Sequence, residues 1–148
     1  MAGFIERIRA YPEKGSAGTE LSEARLVENT GLEGDFHARG GDRQISLFAA
    51  ENTEHIAGLK EKGLCFSRFR ENISFRGLAT EKFRPGMCLA AGEAILEITG
   101  ETKHCHQECA LYEAGKPCPF AGQNLFAKVR KGGIIRAGDC MEIVSFLQ

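Results

Sequence analysis

The chain contains 148 residues, of which 43% are hydrophobic and 26% are charged, and it carries a formal net charge of −1. This length suits a single domain over residues 1–148 with its own hydrophobic core. The nearly balanced charge gives no general attraction to nucleic acid, and no apolar run approaches the roughly 20 residues of a membrane helix, so neither partner is expected.

Short apolar runs separated by many of the 18 glycines predict a series of short strands, and therefore a mainly β sandwich or barrel. Strands are predicted at residues 3–10, 23–29, 44–48, 71–75, 87–90, 94–99, 133–136 and 140–147. Apolar residues at helical spacing predict a helix over residues 49–62, with Gly63 as its stop. A second, short helix is predicted over residues 123–131.

The most informative segment is the loop that follows the predicted strand 94–99. It runs Lys103-His104-Cys105-His106-Gln107-Glu108-Cys109 and is followed by Cys118. Thiols and imidazoles this close together bind a soft metal, form a disulfide or carry sulfur chemistry. The charged N-terminus lacks the apolar run of a secretory signal, so we expect a cytoplasmic, reducing location. Disulfides are rare there, which favours the other two chemistries.

Cys105 is the best candidate for a reactive thiol. Lys103 precedes it by two residues and a histidine stands on each side, and cationic neighbours favour the thiolate. Cys109 could then act as a resolving thiol that forms a disulfide with Cys105. The other three cysteines have apolar neighbours and are predicted to be small buried hydrophobes: Cys65, Cys88 and Cys140.

A zinc site is the alternative for the same loop. Its ligands would be Cys105, Cys109, Cys118 and either His104 or His106. The spacing of the first two sulfurs is acceptable for zinc, whereas the second half of the site lacks a close pair of ligands.

A second constellation lies in the glycine-rich loop that begins at Gly31 and includes His37, Arg39 and Arg43. Glycines let backbone N–H groups approach an anion closely, and these three side chains could hold a phosphate. The alternative is a plain connection between strands with exposed charges. Asn72, in a polar pair that enters a later strand, is expected to be structural.

In chain order these pieces resemble the MOSC family, which is named after the C-terminal domain of molybdenum cofactor sulfurase. The resemblance is closest to small stand-alone bacterial members and spans nearly the whole chain. The matching segments are residues 31–37, 43–47, 71–73 and 92–98, the loop cysteine that follows, and the glycines at 132–133 and 138.

The resemblance implies a β-barrel with a few short helices and a role around molybdenum cofactor (molybdopterin). It implies that Cys105 is the functional cysteine, with His37, Arg39, Arg43 and Lys103 near the cofactor. In the sulfurase itself a pyridoxal-phosphate domain precedes this one and extracts sulfur from cysteine. We therefore expect a PLP-dependent cysteine desulfurase to act in trans, and molybdenum cofactor or a molybdoenzyme to be the acceptor.

Three functions follow from these observations. The first is a sulfur carrier or cofactor-binding domain, which accepts sulfur as a persulfide on Cys105 and delivers it to a metal centre. The second is a small molybdenum enzyme that reduces N-hydroxylated compounds, with Cys105 as a ligand of the metal. The third is a non-enzymatic zinc-binding module. Whether the protein is an enzyme therefore stays open at this point.

Overall fold

The computed structural model describes residues 2–14, 16–51, 71–80, 83–100 and 124–146. Within these ranges the chain forms β-strands and no α-helix. The strands are β1 (Ala2–Ala10), β2 (Thr19–Leu21), β3 (Glu23–Val27), β4 (Gly31–Leu32), β5 (Ile45–Ala49), β6 (Ile73–Arg76), β7 (Met87–Ala91), β8 (Ala94–Ile98), β9 (Asn124–Lys131), β10 (Gly133–Arg136) and β11 (Cys140–Phe146).

Seven strands close into a barrel in the order β11-β7-β8-β9-β5-β6-β1, because β1 also pairs with β11. β2 pairs with β1 outside this ring, and β10, β3 and β4 form a separate three-stranded sheet. Closure satisfies the backbone of both strands that would otherwise be edges. The mainly β barrel is therefore confirmed.

Alternating side chains fill the barrel interior. On β8, Ala94, Leu96 and Ile98 are buried, as the sequence pattern predicted, whereas Ile95 and Glu97 are half-buried on the other face. The same buried cluster includes the largest apolar side chains of the other barrel strands and of the small sheet: Ile5, Ile8, Leu26, Leu32, Ile45, Leu47, Ile73, Phe75, Leu89 and Ile135. One continuous core therefore joins the barrel to the small sheet.

β5 and β6 are the parallel pair of the barrel, with Leu47 opposite Ile73. A parallel pair requires a connection that crosses from one end of the sheet to the other. The predicted helix at 49–62 falls in this connection. Its first position is wrong, because Ala49 ends β5 and the chain turns at Ala50. Residues 52–62 lie outside the described ranges, as does Cys65.

The predicted helix over 123–131 is wrong, because residues 124–131 form β9 between β8 and β5. Ala127 and Val129 face the core, and the intervening Lys128 is half-buried on the outer side. Ala, Lys and Arg in this segment are good helix formers, but pairing on both sides and burial at alternate positions override that weak preference.

Two cysteines test the prediction of buried thiols. Cys88 on β7 is buried, as predicted, whereas Cys140 at the start of β11 is exposed. The next residue, Met141, is fully buried, so strand alternation turns the Cys140 side chain outward. No helix in the described ranges has the length and hydropathy needed to cross a membrane.

Candidate glycine-loop site

The glycine-rich loop, residues 33–44, joins β4 to β5. Gly31 in β4 lets the loop fold back against this strand, because a Cβ at position 31 would lie 2.9 Å from the Cα of Ala38. Its φ of 144° also lies in the region that side-chain-bearing residues avoid. The first glycine of the predicted motif is thus required because the backbone at Ala38 passes close to it.

Asp35 anchors the loop to the end of β1 and the start of β6. Its side chain is fully buried. Oδ1 accepts hydrogen bonds from the backbone N–H of Tyr11 at 2.7 Å and from Nδ2 of Asn72 at 3.1 Å. Oδ2 accepts one from the backbone N–H of His37 at 2.9 Å and lies 3.2 Å from Nδ1 of the same residue. The amide and the two backbone N–H groups all donate to the carboxyl oxygens, and a buried polar group requires partners of this kind.

Asn72 and Gln44 extend this buried polar network. Asn72 accepts a hydrogen bond from the backbone N–H of Ser46 at 3.0 Å and donates to the carbonyl of Arg9 at 3.1 Å. Gln44 accepts one from the backbone N–H of Val129 at 3.0 Å and donates to the carbonyl of Gly41 at 2.8 Å. Each amide therefore uses both its oxygen and its nitrogen, and the expectation that Asn72 is structural is confirmed.

Most backbone N–H groups of the loop already donate hydrogen bonds to protein oxygens. The N–H of Phe36 donates to the carbonyl of Tyr11 at 2.7 Å, and that of Gly40 donates to the carbonyl of Thr30 at 3.1 Å. Others that donate to protein oxygens are those of Glu33, Asp35, His37, Ala38 and Arg39. Anion binding at this loop would therefore fall mainly to its side chains.

The three predicted cofactor contacts in this loop are exposed. His37 has 49% of its side chain accessible. The guanidinium of Arg39 lies over the ring of Phe36, with its carbon 4.1 Å from the ring centre, and that of Arg43 lies 5.0 Å from the centre of Phe126. Stacking of this kind holds a guanidinium in place over an aromatic ring.

Nearby cations differ in whether a carboxylate neutralises them. Lys128 pairs with Asp42 at 3.3 Å, and Arg130 pairs with Glu97 at 3.4 Å. Arg39, in contrast, has no carboxylate within ion-pair distance among the residues that the structure describes. Its charge is therefore the most available of these three for an anionic ligand.

The same loop contacts β8 and β9, the strands that come directly before and after residues 101–123. Thr99, just after β8, has its hydroxyl 2.9 Å from the carbonyl of Asp42 and 3.1 Å from that of Phe126. Phe126 on β9 also lies under Arg43. The glycine-rich loop thus contacts both strands that flank residues 101–123.

The Cys/His segment itself lies outside the described residues. The predictions for Lys103, Cys105, His106, Cys109 and Cys118 consequently stay predictions. In the described part of the chain, no group of three or more His, Cys, Asp or Glu side chains is arranged to hold a metal ion.

The sequence profile described as "MOSC domain" matches residues 33–142, which is most of the chain. The chain belongs to the MOSC family. No curated protein matches it. Among solved structures, YuaD from Bacillus subtilis superposes with a TM-score of 0.73 at 19% identity, covering 99% of this chain and 98% of that one.

Two YiiM proteins also share this fold. YiiM from Escherichia coli gives a TM-score of 0.65 at 19% identity, covering 98% of this chain and 71% of that one. YiiM from Geobacillus stearothermophilus gives 0.66 at 17% identity, with coverages of 96% and 75%. At these identities the likeness shows the fold. The MOSC family is associated with molybdenum-cofactor-related function, so the site is considered in that light below.

In this MOSC domain the sequence identified the exposed side chains of the loop but not the buried hydrogen-bonding residues that fix the loop's position. Asp35 and Gln44 were part of the matching segments without an assigned role. An Asp two residues before a His in a glycine-rich loop is a recognisable turn signal, because its carboxylate can accept the backbone N–H two residues on. The partners of Gln44 and Asn72 lie too far along the chain to leave a local signal.

Proposed function

We propose that this MOSC domain binds molybdenum cofactor through the glycine loop and carries sulfur as a persulfide on Cys105. A PLP-dependent cysteine desulfurase acts as the donor in trans, and the cofactor or a molybdoenzyme is the acceptor. The observation that carries the proposal is the contact of Thr99 and Phe126 with residues 42–43. Thr99 directly follows β8 and Phe126 lies in β9, so the strands that flank residues 101–123 both contact the glycine loop.

The donor set of the loop fits the phosphate of molybdopterin. Arg39 offers an exposed guanidinium without a carboxylate partner among the described residues, and a guanidinium can bind phosphate through two parallel N–H donors. Arg43 lies in the same loop over Phe126. When bound, the cofactor supplies a metal centre that takes sulfur ligands, and a soft thiolate or persulfide suits such a centre.

The length of the chain supports a joint role for Cys105 and the loop. Cys105 follows Thr99 by six positions along the chain. Consecutive Cα atoms advance by at most about 3.6 Å in an extended chain, so Cys105 lies within roughly 22 Å of Thr99. Lys103 lies in the same short stretch and adds a cation to the side chains that favour the thiolate.

The sulfur transfer balances without an added oxidant. The Cys105 thiolate attacks the terminal sulfur of a cysteine persulfide on the desulfurase, the donor's S–S bond breaks, and the donor leaves as a thiolate. Cys105 then carries the persulfide. For release, the Cys109 thiolate attacks the inner sulfur, forms a Cys105–Cys109 disulfide and expels hydrosulfide to the acceptor.

The proposal is tested by mass spectrometry after incubation with a cysteine desulfurase and cysteine. We expect the wild-type protein and the Cys140→Ser variant to gain sulfur, and the Cys105→Ser variant to gain none. Cys140 is a matched control because its thiol is exposed. Undiminished labelling of the Cys105→Ser variant would refute the assignment.

A further inference from the structure

Two exposed side chains of the glycine loop pack around one aromatic ring. Phe36 is half-buried, and the imidazole of His37 meets its ring edge to face at a centroid distance of 5.4 Å. The guanidinium carbon of Arg39 lies 4.1 Å from the centre of the same ring. His37 and Arg39 therefore lie close enough together to contact a single ligand of the size of a pterin.

These two side chains offer different hydrogen-bonding groups. The guanidinium of Arg39 only donates, whereas a neutral imidazole donates from one nitrogen and accepts at the other. Nδ1 of His37 lies 3.2 Å from Oδ2 of Asp35, and Nε2 has no hydrogen-bond partner in the described part of the chain. The nitrogen that carries the hydrogen therefore decides what His37 offers to a ligand at Nε2.

The hydrogen bonds of Asp35 indicate which nitrogen this is. Oδ1 accepts from the backbone N–H of Tyr11 and from Nδ2 of Asn72, and Oδ2 accepts from the backbone N–H of His37. N–H donors on both oxygens suit the ionised carboxylate, which can only accept. The imidazole nitrogen that faces Oδ2 is then the N–H donor, so the hydrogen of the neutral ring resides on Nδ1. The lone pair consequently resides on Nε2, the nitrogen that does not face Asp35.

We propose that Asp35 is a positioning residue that holds His37 in the Nδ1–H tautomer, and that Nε2 of His37 accepts a hydrogen bond from an N–H group of the bound ligand. The ligand class is a phosphate-bearing molecule that also carries an amide or amine N–H, and a pterin monophosphate has both. The identity of this ligand rests on the proposed function. The tautomer rests on the described residues alone.

This inference assigns different parts of the ligand to different side chains of the loop. Phosphate oxygens are acceptors and suit the guanidinium of Arg39, whereas a neutral His37 cannot donate to them from Nε2. His37 therefore binds the N–H end of the ligand and leaves the phosphate to the arginine. A simple oxyanion without hydrogen, such as sulfate, has nothing to donate to Nε2, so His37 is a specificity-determining residue.

The tautomer is measured by long-range proton–nitrogen correlation spectra of protein labelled at its histidine nitrogens. The chain has four histidines, and the His37→Phe variant identifies the signals of His37. At a pH where the ring is neutral, we expect the hydrogen on Nδ1 and a displacement of the Nε2 resonance when pterin monophosphate is added. A hydrogen on Nε2 in the wild-type protein overturns the inference.

The role of Asp35 is measured by the same spectra of the Asp35→Asn variant. An amide in place of the carboxylate can present an N–H group to the imidazole, so we expect the hydrogen of His37 to move toward Nε2. An unchanged tautomer in the folded variant overturns the positioning role. If the variant does not fold, the wild-type tautomer alone still tests the inference.

The ligand contact is measured by titrating pterin monophosphate and sulfate separately into the wild type, His37→Phe and Arg39→Ala. Phenylalanine keeps an aromatic ring beside Phe36 but has no acceptor. We expect His37→Phe to weaken binding of pterin monophosphate about fivefold, the effect of one hydrogen bond, and to leave sulfate binding unchanged. Arg39→Ala should weaken both ligands. An unchanged affinity of His37→Phe for pterin monophosphate, or an equal loss for both ligands, overturns the contact.

These outcomes are separable from the proposed function, whose sulfur uptake on Cys105 is measured by mass spectrometry. Binding of pterin monophosphate that depends on His37, without sulfur uptake by the wild-type protein, would support this inference and reject the sulfur carrier. Sulfur uptake on Cys105 with an unchanged affinity of His37→Phe would do the reverse. A wild-type protein that binds no pterin monophosphate would reject the ligand in both.

Discussion

Two neighbouring regions of the barrel differ in which kinds of side chain they bury. Beside β5, β6 and the glycine loop, polar side chains such as Asp35 and Asn72 are buried and use all their main hydrogen-bonding groups on the protein. Beside β1 and β11, apolar side chains face solvent, with Phe4 44% and Val144 47% exposed. The comparison shows that buried polar residues of the MOSC pattern hold the loop in place, whereas β1 and β11 leave some apolar side chains exposed to solvent.

The largest effect is expected from Asn72→Leu. This change removes the acceptor for the N–H of Ser46 and the donor to Arg9 and Asp35. Each buried group left without a partner costs about 1–3 kcal/mol, so the free energy of unfolding should fall by roughly 3–4 kcal/mol. Urea unfolding measures this loss of stability, provided that the m value is the same in the variant and the wild type. A loss below about 1 kcal/mol would show that the hydrogen bonds of Asn72 do not stabilise this region of the barrel.

Gln44→Met should have a smaller effect of the same kind. Methionine keeps the length and much of the volume of glutamine but leaves the buried N–H of Val129 without its acceptor. We expect a loss of about 2 kcal/mol in the free energy of unfolding. The companion variant Gln44→Glu retains an acceptor for Val129, so the two together separate the loss of that bond from the loss of the donor to Gly41. Equal stability of Gln44→Met and wild type would contradict this account.

Arg39→Ala should separate binding from stability. Its contact with Phe36 is an exposed cation–π interaction worth about 0.5–1 kcal/mol, so unfolding should change by no more than that. Loss of a charge-assisted bond of about 1.5 kcal/mol should nevertheless weaken binding of a pterin monophosphate about tenfold. Isothermal titration measures both proteins, with Arg136→Ala as a control because Arg136 is exposed on β10 and pairs with Glu23. Equal affinities of wild type and Arg39→Ala would exclude Arg39 as the phosphate ligand.

The smallest effect is expected on β11, two strands away from β6 in the ring. Val144→Ser replaces an exposed apolar side chain on β11, and substitutions of this kind usually change stability by less than about 0.5 kcal/mol. Thermal or urea unfolding checks this expectation. A loss of stability comparable with that of Gln44→Met would mean that the two regions do not differ as described.

The sequence predicted most barrel strands because alternation is a local signal, as on β8. It failed at β9, where helix-forming Ala, Lys and Arg residues conceal a strand that pairs with β5 and β8. It named His37, Arg39 and Arg43 because charged side chains in a glycine-rich loop are visible in the sequence. It could not assign Gln44, whose partner Val129 lies 85 residues away, since such a contact exists only once the barrel has closed.

The central claim is that Cys105 and the glycine loop form one site, and protection of the thiol tests it most directly. The rate at which iodoacetamide alkylates Cys105 is measured with and without a saturating pterin monophosphate, with exposed Cys140 as the internal reference. The account predicts that bound ligand slows alkylation of Cys105 several-fold and leaves Cys140 unchanged. An unchanged rate at Cys105, with the ligand shown to be bound, would contradict it.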